Sequence, residues 1–401
     1  DPRVVLRFRR RFQQLTGPVM AKSLEDTLFY RYACLLGLNE VGGDPGEYGI
    51  DAEHFHDLQI ARARDWPSAM ITTATHDTKR GEDARTRLLA LSEIPEEWAK
   101  AWDLWQRVAG PHLARIDGEP APDANDQWMF FQGILGAWPL ELLERDEAGA
   151  IEDFRDRLIA YGEKAMREGK RRSSWVNVDE VYEGAVRKLF TALIAPGSDF
   201  LRELRPFARR LAHLGMLASL GRTVLKCTLP GLPDTYQGTE IWDFSFVDPD
   251  NRRPVDYPAL GRMLDQGGVP AELLAHWPDG RVKQATLAAL LAERAERPDF
   301  YASAAYEPVP ATGARAGHVI AYRRTDPGQE GGDLFVAVPR LVAGFVGEAV
   351  WPGEAFNGTR VDLGAGTRWR DLASGRIVAG EGADLGELLR DLPYAVLRRE
   401  P

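Results

Sequence analysis

The sequence predicts an α/β protein with a long helical insertion and a C-terminal antiparallel β-sandwich, and three observations carry the prediction. Residues 68–75 are short, apolar and β-branched, and they run straight into the polar cluster His76-Asp77-Thr78-Lys79-Arg80. Residues 82–216 are almost wholly helical in pattern. From about Asp299 the texture changes to short alternating runs divided by Gly-rich turns. A strand buried on both faces reads as a continuous apolar run, and the loop after its C-terminal end is where an α/β barrel keeps its chemistry.

Taken in order, the chain opens on a basic amphipathic stretch, 4–12, whose Arg7, Arg9, Arg10 and Arg11 make a solvated helix face. Starting on Asp1-Pro2, it reads like the middle of a longer protein. Residues 15–20 give a first short strand. Ser23 and Asp26 then have capping-box spacing, and Leu24, Leu28, Tyr32, Leu35 and Leu36 recur at helical intervals. The run Gly42-Gly43-Asp44-Pro45-Gly46 is a loop, and a second helix covers 51–66 until Pro67 stops it.

Inside 82–216, Trp98, Trp102 and Trp105 form one stripe, Trp128, Phe131 and Leu135 another, and Phe154, Leu158 and Tyr161 a third. All three read as core. The exception is Ser173-Ser174-Trp175-Val176-Asn177, a polar-aromatic loop placed between helices. Strand character returns at 222–229 and helical character near 282–295. The sandwich strands fall at 317–323, 333–339, 367–371 and 394–398. The corresponding segments are 1–81 (barrel portion), 82–216 (insertion), 217–298 (a further barrel strand and its helices) and 299–401 (sandwich).

With 401 residues, 44% hydrophobic and 27% charged, the chain has the make-up of a folded multidomain protein and not a disordered one. A formal charge of −10 disfavours nucleic acid or an anionic membrane as partner, because either would repel the average surface. Cys34 and Cys227 lie far apart in apolar contexts and read as two buried thiols of a reducing cytosol, with no disulfide framework or zinc spacing. No apolar run approaches a membrane span, and no signal-peptide pattern is present. A cytoplasmic enzyme without cofactor or metal is the expectation.

Glycosidic-bond chemistry needs a carboxylic acid to protonate the leaving oxygen; in the retaining form a second carboxylate, about 5–5.5 Å away, is the nucleophile. Amylase-type enzymes add a third carboxylate, preceded by His, that grips hydroxyls of the distorted sugar, and Thr75-His76-Asp77 after the 68–75 strand resembles that element. Asp77 has a plainer reading as N-cap of the helix beginning near Glu82. Lys22 has a plainer reading as offsetting Glu25 and Asp26, Asp44 before Pro45 as a turn former, and Arg80 as the partner of Glu82 or Asp83. Arg252 and Arg253 after Asp250 read as an internal ion-pair turn.

Five segments in order resemble the maltooligosyltrehalose synthase family of the amylase superfamily. They are Gly17-Pro18-Val19-Met20-Ala21-Lys22 with Glu25-Asp26-Thr27, Asn39-Glu40-Val41-Gly42-Gly43-Asp44-Pro45, Thr75-His76-Asp77-Thr78-Lys79-Arg80, Pro233-Asp234-Thr235-Tyr236-Gln237-Gly238-Thr239-Glu240, and Trp242 through Asp256. The resemblance implies the C-terminal part of a (β/α)8 TIM barrel, and an enzyme that moves the reducing-end glucose of a maltooligosaccharide from an α-1,4 to an α,α-1,1 linkage within one molecule. By that resemblance Asp77 is the transition-state-stabilising carboxylate and His76 donates to sugar hydroxyls. Lys22, Asp44 and Lys79 hold the reducing-end glucose; Trp175, Asn177, Tyr236 and Gln237 read equally as lining the cleft, where aromatic faces pack on sugar rings, and as structural residues. No stretch resembles the family's nucleophile or acid elements, so a missing N-terminal half, in the same polypeptide or a second chain, is the expected partner. Related readings are an amylase-type or trehalose-releasing hydrolase, which would share His76-Asp77, and a non-catalytic glucan-binding module.

Overall fold

The computed structural model describes residues 1–326, 332–347 and 350–401. The chain divides into two compact units, each assembled from non-consecutive segments. The first comprises Asp1–Tyr48, Asp77–Leu211 and Phe244–Arg252; the second comprises Gly49–His76, Ala212–Asp243 and Arg253–Pro401.

The first unit is helical. Its principal helices are Pro2–Met20, Glu82–Leu89, Pro95–Ala109, Ala124–Ala137, Ala148–Gly169 and Glu180–Leu193, followed by the opening turns of Asp199–Thr228. The aromatic stripes do form its core: Trp98 packs 5.0 Å from Trp128, and Trp105 meets Phe131, Phe200 and Phe207 edge-on. Phe154, Leu158 and Tyr161 are buried as well. The helical pattern is interrupted once, by an antiparallel hairpin of Ala114–Ile116 and Glu119–Ala121. Asp117 and Gly118 both adopt positive φ, the requirement of a two-residue primed turn, so an Asp-Gly pair locally overrides the helix.

The second unit contains a two-stranded parallel pair, Met70–Ile71 with Leu232–Pro233, and a six-stranded sheet. In the latter the order is Ile377–Ala379, Arg368–Asp371, Ala395–Arg399, Leu334–Pro339, Val319–Thr325, Ala305–Pro308, every pairing antiparallel. One face of the sheet packs Phe335, Trp369 and Leu397 with Val361, Leu385 and Leu388, which belong to a short strand pair and a one-turn helix. The opposite face meets the end of the Asp199–Thr228 helix. There Thr228 and Tyr322 share a 2.6 Å hydrogen bond, and a Cβ on Gly221 would lie 2.5 Å from Val338. Buried Arg324 is spent on carbonyl oxygens, those of Thr228, Tyr301, Ala304 and Ala305.

Several local expectations are corrected. Residues 222–229 are the end of a helix, not a strand: Leu217, Leu220, Val224 and Cys227 are buried at helical spacing. Thr223 and Thr228 turn their hydroxyls back onto the i−4 carbonyls of Ser219 and Val224, so their β-branching does not signal a strand. The strand parallel to Met70–Ile71 follows this helix, at Leu232–Pro233. Residues 15–20 belong to the exposed helix Pro2–Met20. After Lys22 no continuous helix forms, only a π-turn and two 3₁₀ turns. Tertiary hydrogen bonds take the backbone groups there, since Asn39 Nδ2 donates to Phe29 O and Tyr32 O and buried Gln132 grips Ala33 O and Leu36 N. Cys227 is buried but Cys34 is exposed. The helix at 51–66 is present as Ala52–Asp65, capped by Asp51.

Candidate functional site

The parallel pair positions three of the nine candidate residues, His76, Tyr236 and Gln237. Leu232 N donates to Ala69 O and Asp234 N to Ile71 O, so the segments after Ile71 and after Pro233 leave the pair side by side. Gly231 makes this possible. It sits at φ +133°, and a Cβ there would lie 2.6 Å from Ala69 O. Both strands are two residues long and Met70 is exposed, so the expected strand over 68–75, buried on both faces, is corrected to Met70–Ile71; Thr72–Thr75 is irregular, with Thr72 Oγ1 donating to Ala74 O at 2.6 Å. The turns bring two expected site residues together. His76 Nδ1 lies 3.0 Å from Tyr236 Oη with the rings roughly edge to face, and Gln237 beside it is exposed.

The first unit carries the remaining candidates. Asp77 is exposed, and Arg252 Nη2 donates to its Oδ1 at 3.1 Å. Such an open pair contributes about 0–1 kcal/mol to stability, too little to explain it as a fold-holding contact. The N-cap of the helix Glu82–Leu89 is Gly81, so Asp77 does not cap it. Arg80 turns to Asn39 O. Lys79 is buried, its Nζ 2.9 Å from Asp26 Oδ1 and its backbone N donating to Glu40 Oε1. Lys22, largely exposed, reaches the other oxygen of the same carboxylate. Burial alone would raise the Asp26 carboxyl, but the hydrogen bonds from Lys22 and Lys79 outweigh it and hold the group below its ordinary value. Asp26 in turn raises the Lys22 amine.

Asp44 is engaged with its own turn, Oδ1 accepting from Gly46 N, as a plain turn former does. Trp175 and Asn177 stand exposed on the expected loop. The loop is anchored from below: Ser173 Oγ donates to Glu183 Oε1, Asp179 N donates to Ser173 Oγ, and Arg167 grips Glu183 with two hydrogen bonds. The Arg167 guanidinium also lies 5.2 Å from the Trp175 ring centre.

Arg252 itself is held at the end of a tightly fastened segment, Phe244–Arg252. Arg157 takes both oxygens of Asp250 at 2.9 Å and donates to Phe244 O. Asp250 Oδ2 also accepts from Phe246 N, and the Phe246 ring stacks on Tyr161 at 4.5 Å. Lys164 donates to Asp248 Oδ1 at 2.6 Å and to Asp248 O at 2.9 Å. Arg87 lies flat on the Phe244 ring at 3.8 Å while its Nη1 satisfies three carbonyls ending the Ala124–Ala137 helix. The expected ion-pair turn is therefore different in its partners: Asp250 pairs with Arg157, and Arg252 reaches Asp77 and, at 3.9 Å, Asp248.

No family model matches the chain. A protein of Mycobacterium tuberculosis strain H37Rv, provisionally named maltooligosyl trehalose synthase, is 40% identical over 394 residues, covering 97% of this chain and 45% of that protein. The solved maltooligosyltrehalose synthase from Arthrobacter ramosus superposes with a TM-score of 0.80 at 35% identity, over 97% of this chain and 46% of that one. A hypothetical maltooligosyl trehalose synthase of Sulfolobus tokodaii gives a TM-score of 0.72 at 28% identity, over 96% and 46%. Over nearly its whole length the chain is similar to part of these maltooligosyltrehalose synthases. It spans a little under half the length of these relatives.

Three residues beside the maltooligosyltrehalose synthase candidates were not legible as site residues: Asp26, Glu40 and Arg252. Asp26 stands four residues after Lys22, a spacing that brings them together on one helical turn. Glu40 and Arg252 lie inside the segments that carry the resemblance, but nothing local marks their partners. Among the described residues no cluster of His, Cys, Asp or Glu has the arrangement of a metal site, and no helix is long and apolar enough to cross a membrane.

Proposed function

We propose that this chain is the part of a maltooligosyltrehalose synthase that supplies the transition-state-stabilising carboxylate and much of the sugar-binding surface. The observation that carries the reading is the parallel pair Met70–Ile71 and Leu232–Pro233, whose outgoing turns place His76 against Tyr236 and lead directly into Asp77. That is the C-terminal end of strands of a (β/α)8 barrel, of which the pair is a portion. The antiparallel sheet and its short second layer are the sandwich that follows it.

In this reading the enzyme cleaves the reducing-end α-1,4 bond with retention, and the released glucose turns over and re-attaches through its own anomeric hydroxyl. Asp77 lowers the energy of the developing oxocarbenium ion by placing negative charge beside it and gripping adjacent hydroxyls. Tyr236 fixes the orientation of His76, which donates to a sugar hydroxyl. Lys22 and Asp44 hold the released glucose from exposed positions, while buried Lys79 acts through Asp26, whose carboxylate it steadies. Fixing that glucose nearby favours re-attachment over attack by water. Trp175, Asn177 and Gln237 extend the surface met by the oligosaccharide. The nucleophile and the acid come from the other half of the enzyme, whether in the same polypeptide or a second chain.

The test is an assay of residues 1–401 alone with maltopentaose, followed by addition of the purified remaining half. The expected result is no trehalose-ended product from the lone chain and its appearance on reconstitution. Robust synthesis by residues 1–401 would overturn the division of catalytic groups. Release of glucose or shortened maltooligosaccharides without trehalose-ended product, in the reconstituted enzyme, would favour the hydrolase.

A further inference from the structure

We infer that the helix Ala148–Gly169 positions the catalytic carboxylate, through a chain of alternating charges that runs Lys164, Asp248, Arg252, Asp77. Arg157 and Lys164 are positioning residues for the reaction. The inference rests on the reading of Asp77 given above.

Arg157 and Lys164 stand seven residues apart, so they share one face of the helix. Both point at the same nine-residue segment. Arg157 closes its ends together, since it bonds Phe244 O near the start and both oxygens of Asp250 near the finish. Lys164 holds the middle by the side chain and the backbone oxygen of Asp248. Arg252, two residues past Asp250, is left with one amino group 3.1 Å from Asp77 and the other 3.9 Å from Asp248.

Burial declines from the segment's anchor toward Asp77. Side-chain exposure is 14% and 11% in the Arg157–Asp250 pair but 34% and 80% in the Arg252–Asp77 pair. Arg252 donates to this open carboxylate and helps to fix its plane. Bidentate geometry at Arg157 fixes direction as well as distance, which a single ammonium contact cannot do. The helical insertion therefore sets the angle at which Asp77 meets the sugar, in addition to being scaffold.

The experiment compares Arg157→Met, Lys164→Met, Lys164→Arg, Arg252→Met and Asp77→Asn in the full-length enzyme, with thermal melts and steady-state rates on each preparation. Arg205→Met is the control, since Arg205 pairs with Asp146 and Leu142 O instead. Loss of positioning should lower kcat by about 10- to 100-fold in Arg252→Met and Lys164→Met with KM changed much less. Lys164→Arg should recover most of it. Arg205→Met should lose melting temperature but keep kcat. Arg157→Met is read below its melting transition, and Lys164→Met decides the matter if that variant does not fold. Unchanged kcat in Lys164→Met and Arg252→Met, with Asp77→Asn inactive, overturns the inference and leaves the function standing. Full activity in Asp77→Asn overturns both.

Discussion

Lys79 Nζ lies 2.9 Å from Asp26 Oδ1, a buried ammonium whose carboxylate partner also receives Lys22. The pairing joins the Thr78–Arg80 turn to the turn that follows the first helix, and it has a pH signature. The Asp26 carboxyl is held below its ordinary value, so its contribution is fully present above the unfolded value of about 3.9 and is lost as pH falls through the lower folded value. Asp26→Asn should cost about 1–3 kcal/mol at neutral pH, and the deficit should shrink toward zero in acid. Denaturant melts at pH 7 and pH 3 check both the size and the sign.

Gly231→Ala should destabilise the parallel pair. Its φ of +133° is closed to an L side chain, and the new Cβ would meet Ala69 O at 2.6 Å. A loss of at least about 2 kcal/mol is expected from strain and the broken ladder. Calorimetry measures it; a neutral substitution would mean that the two strands do not pair closely in solution.

Glu183→Gln should loosen the loop that presents Trp175. Hydrogen bonding from Arg167, opposed by burial and aided by Ser173, holds the Glu183 carboxyl low, and replacement leaves a guanidinium without its charged partner. The expected cost is about 2–4 kcal/mol. Amide exchange at Asp179, whose N–H donates to Ser173 Oγ, should quicken relative to the amides of the Ala124–Ala137 helix. Uniform exchange across both would argue against a local anchor.

Asp77→Asn should reduce turnover of the full-length enzyme by orders of magnitude while the melting curve moves little. The carboxylate is exposed and caps no helix, so folding asks little of it. A large drop in melting temperature with retained turnover would return Asp77 to a structural role.

Several patterns confined to one element were read correctly, though the short strands expected at 15–20 and 68–75 proved to be helix and a two-residue strand. The Trp98-Trp102-Trp105 stripe packs as core, the Asp51-capped helix ends before Pro67, and the alternating runs after residue 317 are strands within two residues of their expected limits. The errors fall where two signals compete. Residues 222–229 carry β-branched Thr223, Val224 and Thr228, yet the burial of Leu217, Leu220, Val224 and Cys227 at helical spacing decides for a helix. At residues 24–36 the helical spacing is real, but Asn39 and Gln132 claim the backbone groups a helix would need.

From the sequence alone came the residue types of the candidate site, because His76-Asp77 and Lys22 belong to ordered segments that carry the resemblance. Which groups those residues touch was decided only by the tertiary structure. Arg252 reaches Asp77 across 175 positions, Lys79 reaches Asp26 across 53 and His76 reaches Tyr236 across 160. A charged side chain in a loop carries no periodicity that names its partner. Its contact depends on how helices far along the chain, above all the one bearing Arg157 and Lys164, fasten the segment on which it stands.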